Sequence, residues 1–84
     1  MDIYVVENDT DRSWNEPMVF KNGKDAGSHV KEQYEEVKAS EDIDEDSRGW
    51  IFVWYIDDSC TGIVEIYSEY FSDYWRWRIT KFTV

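Results

Sequence analysis

Residues 50–56 read WIFVWYI. The run contains no charge and no turn former. At the two-residue period of a strand it puts Trp50, Phe52, Trp54 and Ile56 on one face and Ile51, Val53 and Tyr55 on the other. A strand that is apolar on both faces is expected inside a sheet, covered on both sides. Trp54 is therefore expected in the core. Downstream, Asp57-Asp58-Ser59-Cys60-Thr61-Gly62 reads as a turn and Ile63 to Tyr67 as the next strand. Ser68 to Asp73 is a connection. The last strand, Tyr74 to Val84, sets Trp75, Trp77 and Ile79 on one face and Tyr74, Arg76, Arg78 and Thr80 on the other.

Upstream of the run, the period changes. Asn22-Gly23-Lys24-Asp25 resembles a capping box, and Ala26, Val30, Tyr34 and Val37 recur at helical spacing. Gly27 weakens the first turn of this helix by about 1 kcal/mol relative to Ala. The acids from Glu41 onward oppose the negative end of the helix dipole, so the helix should end near Ala39 or Ser40 and residues 40–49 form a loop. Nearer the start, Ile3 to Val6 and Met18 to Lys21 read as short strands. The turn-rich stretch 7–17 separates them, and a hairpin across that loop would have Trp14 as a lid. The order β-β-α-β-β-β predicts an α+β fold, one helix packed on a curved antiparallel sheet, within one small acidic domain over residues 1–84.

Composition narrows the function. The chain holds 19 acids against 9 Lys and Arg, for a formal net charge of −10. That field repels nucleic acid and anionic membranes and attracts basic protein surfaces, so neither direct nucleic-acid binding nor membrane association is expected. Five Trp and six Tyr give a short chain enough apolar area to fold, unlike a disordered acidic tail. Cys60 is the one cysteine, which excludes an intrachain disulfide, and the beginning of the chain has no signal-peptide pattern. A cytoplasmic protein is expected. Its oligomeric state is not legible.

Catalytic and metal chemistry have little to stand on. Residues 41–46, EDIDED, carry acids at calcium-loop positions one, three and five, in Asp42, Asp44 and Asp46. The glycine required at position six is Ser47, the glutamate at twelve is Val53, and Arg48 at seven would oppose the ion. Specific calcium binding is not expected. His29, beside Asp25, Glu32 and Glu36 on the helical wheel, has no second histidine to share a metal with, and reads as a surface histidine near carboxylates. Cys60 with His29 as base is a conceivable nucleophile, but the negative charges of Asp57 and Asp58 nearby would disfavour a thiolate nucleophile. No phosphate loop or nucleophile elbow is present, and no cofactor and no enzymatic activity are expected. Lys24, Lys31 and Lys38 sit seven residues apart on the opposite flank and read as solubilising. Arg76 and Arg78 beside Tyr74 resemble a base-stacking surface, but intramolecular pairing with acids such as Glu65 fits the net charge better.

The charge that remains is concentrated. Residues 24–48 hold nine acids and four bases. Asp25, Glu32 and Glu36 line one helical stripe that leads to Glu41, Asp42, Asp44, Glu45 and Asp46, a ridge able to occupy a basic groove built for phosphates. A solvated face that keeps an aromatic-rich chain in solution is the plainer explanation of the same residues. In size, acidity and Trp/Tyr content the chain is similar to two functional classes: phage inhibitors that mimic DNA, and immunity proteins that neutralise nuclease toxins. The likeness is one of composition. It implies a small acidic inhibitor of a nucleic-acid-handling protein. The alternative is an interaction module or assembly subunit, bacterial or phage, that uses an exposed aromatic β face.

Overall fold

The structure is a computed structural model, and it describes residues 1–11 and 14–84, with Trp14 described by its backbone alone. Six elements follow in the expected order: β1 (Asp2–Thr10), β2 (Trp14–Phe20), α1 (Gly23–Ser40), β3 (Trp50–Ile56), β4 (Gly62–Ser68) and β5 (Tyr74–Thr83). All strand pairs are antiparallel, and the strands lie in the order β2-β1-β5-β4-β3 with α1 against one face. The α+β class is as the sequence indicates.

The helix obeys its local signals. Asn22 adopts an extended backbone, and its side-chain oxygen accepts from the Asp25 amide at 2.8 Å. Its amide nitrogen donates in turn to the Asp25 carboxylate at 3.0 Å. Each end of the box thus satisfies a group of the other, leaving fewer orphan donors in the first turn. Ala26, Val30 and Tyr34 are buried and Val37 is half-buried, as the apolar spacing requires. Gly23 is needed for another reason. A Cβ there would lie 2.5 Å from the Cβ of Cys60, so glycine lets the helix start touch the β3–β4 turn.

Two expectations are corrected. The first strand does not stop at Val6, nor does the second wait for Met18. β1 continues to Thr10 and β2 begins at Trp14, so strand occupies most of the stretch read as a loop over 7–17. Paired rows explain why polar residues extend a strand here. Glu7 lies opposite Arg78 and Asp9 opposite Arg76, so the acids meet cross-strand arginines. The Tyr74 hydroxyl also donates to Asp9 at 3.3 Å. The suggested Trp14 lid concerns a side chain outside the described residues.

The second correction concerns WIFVWYI. β3 is an edge strand and not a central one, and Trp54 is 46% exposed. The helix packs mainly on β1, β2 and β5. Over the inner face of β3 lie the Tyr34 ring, edge-on to Phe52 and Trp54, and the Lys38 ammonium. The middle of the sheet belongs to β5, where Trp77 is 1% exposed and its indole nitrogen donates to Gln33 at 2.9 Å. With Val6, Val64, Ile66, Ile79 and the buried helix residues, Trp77 makes the core.

Candidate functional site

Where the structure places the eight candidate carboxylates decides what they can do. Three are occupied. Asp25 closes the helix cap. Asp44 holds the loop's own turn, accepting from the Asp46 amide at 2.9 Å and from the Ser47 hydroxyl at 3.4 Å. Glu45 bonds the Lys38 ammonium at 2.5 Å. This bond holds the Glu45 carboxyl below its ordinary value and raises the Lys38 ammonium above its own. The other five, Glu32, Glu36, Glu41, Asp42 and Asp46, are exposed, and no cation among the described residues lies within ion-pair distance of them.

The loop folds in a way that divides the ridge. The Ile43 amide donates to the Lys38 carbonyl at 3.0 Å and the Ile43 side chain packs on the core, turning the chain back on the helix end. Glu45 lands on the flank that carries Lys38 and Glu35, beside Tyr34 and Trp54. Asp25, Glu32 and Glu36 lie on the opposite flank of α1, at the one-turn and two-turn spacings that share a stripe. Glu41 and Asp42 follow directly from the helix end. The stripe on the helix is therefore Asp25, Glu32 and Glu36, with Glu41 and Asp42 beyond its end, and Glu45 belongs to the other flank. Lys38, read as a solubilising lysine, is the residue that fastens the loop, with its ammonium over the Tyr34 and Phe52 rings.

Beside the stripe lies a feature that no motif marked. A cleft of about 710 Å³ opens between the last turns of α1 and strands β1, β2 and β5. Trp75, Trp77 and Asn8 line it from the sheet side, and Gln33, Glu36 and Ser40 from the helix. Among the described residues that line it, Glu36 alone is charged. Trp75 is half-buried and stacks obliquely on Trp50 at 6.1 Å, which fixes the aromatic floor. An aromatic floor with one carboxylate at the rim suits a cationic side chain, whose charge is attracted by both.

The remaining candidates separate in space. His29 tilts against Phe20 at 5.3 Å, while Cys60 packs against Gly23 at the helix start. No three His, Cys, Asp or Glu side chains among the described residues converge enough to hold a metal ion. Arg76 pairs with Glu65 at 3.2 Å and lies over the Tyr74 ring, so the intramolecular use of that arginine is as expected. Among the described residues no helix is long and apolar enough to cross a membrane. No protein-family model, curated protein or solved structure matches the chain.

Proposed function

We propose that this protein is a small acidic binding protein that inhibits a nucleic-acid-handling protein by occupying its basic groove, in the manner of a phage anti-defence or immunity protein. It acts in the cytoplasm, without catalysis and without a cofactor. The observation that carries the reading is the union of stripe and cleft at Glu36. Glu32 and Glu36 share a stripe on the second half of α1, and Glu41 and Asp42 follow at its end; all four are exposed with no cation among the described residues at ion-pair distance, and Glu36 also borders an aromatic cleft. Carboxylates on a fixed backbone imitate phosphates without the cost of ordering the chain, and the cleft accepts a basic side chain that would otherwise grip a backbone phosphate. Of the eight ridge residues, Asp25, Asp44 and Glu45 support the scaffold, and Asp46 extends the charge beyond the stripe.

Affinity capture from the source cell or its host, eluted by a salt step, tests this. Encounter steered by charge weakens steeply as ionic strength rises. A basic nucleic-acid enzyme in the high-salt eluate is the expected result. Partners that resist the salt step would favour the second reading, docking through the uncovered face of the sheet. A specific observation supports that alternative: Tyr55 stands 77% exposed on that face, beside half-buried Ile63 and Val53.

A further inference from the structure

The two edges of the sheet are built differently. β2 is protected against pairing with another chain: Glu16 and Pro17 sit within it, and its register with β1 shifts between Val6 and Asn8. Charge, proline and bulges are the devices by which natural edge strands refuse a partner. β3 has none of them. Trp50–Ile56 carries no charge and no proline, and it keeps an unbroken register with β4 from Trp50↔Ser68 to Ile56↔Gly62. Among the described residues nothing pairs with its other side. It also leaves Trp54 and Tyr55 open to solvent.

We propose that two copies of this chain join through the free edges of β3, antiparallel and centred on Val53, to make one ten-stranded sheet. This register keeps side chains of like face together. Phe52 of each copy meets Trp54 of the other on the helix side, and Ile51 meets Tyr55 on the open side, forming the apolar and aromatic cross-strand pairs that stabilise sheets. Charge selects a second copy as the occupant. Two chains of net charge −10 repel at most approaches. An uncharged strand is the exception, and the turns that flank it differ in charge: Arg48 lies in the turn before β3, and Asp57 and Asp58 follow the strand, all exposed. Antiparallel pairing about Val53 sets the turn that carries Arg48 in each copy beside the turn that carries Asp57 and Asp58 in the other, twice by symmetry. The two-fold axis stands perpendicular to the sheet, so both helices, with their acidic stripes, lie on one face of the dimer. The pairing is independent of the stripe's function.

Sedimentation velocity of the full chain, in about 0.15 M salt where exposed charges beyond ~8 Å are screened, is the direct test. A reversible dimer is expected. Val53→Lys sets a lysine opposite Glu65 within its own chain, but opposite another lysine across the two-fold axis, so it should fold and be a monomer. Arg48→Asp, in an exposed connection, should weaken the dimer roughly tenfold, and adding Asp58→Arg should restore it. A wild-type chain that stays monomeric overturns the proposal. So does a dimer unaffected by Val53→Lys, or by Arg48→Asp should the lysine variant fail to fold. Open-ended aggregation in place of a dimer would also overturn it.

Discussion

β3 and β5 are both rich in tryptophan, and they occupy opposite situations. β5 carries arginines on its outer face and lies in the middle of the sheet, whereas β3 is apolar throughout and lies at the edge. The difference teaches that apolar faces alone do not place a strand. β5 can be central because its charges are answered by its neighbours, Arg76 by Glu65 on β4 and Asp9 on β1. β3 is apolar without being enclosed: the helix packs mainly on other strands, and among the described residues no strand pairs with its outer edge.

Substitutions can break or sharpen the contrast. Trp77→Ala should be the most damaging, at about 3–5 kcal/mol, because it empties a fully buried site and strands the Gln33 oxygen. That is a large part of the stability a small domain has, so chemical denaturation should find the variant barely folded. Trp54→Ala should cost only about 1–2 kcal/mol in the same measurement, since half of that ring is in water and its inner contact is the Tyr34 edge. Equal losses at the two tryptophans would erase the distinction between centre and edge. On the outer face of β5, a double-mutant cycle on Glu65→Gln and Arg76→Gln should give a coupling of about 0.2–1 kcal/mol, as partly exposed pairs do.

The smallest effect concerns the cover over β3. The lowered Glu45 carboxyl contributes stability above its unfolded value, and that stability is lost as pH falls through the folded one. The raised Lys38 ammonium contributes below its unfolded value, and its contribution is lost as pH rises through the folded one. Thermal melts should therefore show a small decline below about pH 4.5, the ordinary glutamate value, which is diminished in Glu45→Gln. A second decline, above about pH 10.5, should also be diminished in that variant.

Much of this architecture is legible in the residues. The helix is, because its cap and its apolar spacing are local signals that tertiary contacts did not override. The turn-like run Glu7-Asn8-Asp9-Thr10 is misleading, because its strand character depends on Arg76 and Arg78 some seventy residues away. The position of β3 is hidden for the same reason: no residue within it records where the helix will lie. The acids of the candidate site are legible singly, but their employment is not. Glu45 is committed to Lys38 because the Ile43 turn folds the loop back, and nothing in EDIDED announces that contact. The cleft is least legible, since Trp75, Asn8 and Glu36 come from three elements.

The central claim is that position, and not net charge alone, makes these carboxylates a recognition surface. It is tested most directly by the association rate of the captured partner with two variants of equal charge. One replaces Glu32, Glu36, Glu41, Asp42 and Asp46 with their amides. The other does the same to Glu7, Glu16, Asp58, Glu69 and Asp73, which lie outside the helix and its following loop. The first should stay folded, and its on-rate should fall by about tenfold or more with a shallower salt dependence. The second should lose far less. Equal losses in the two variants would contradict the claim, reducing the stripe to its share of a general negative field.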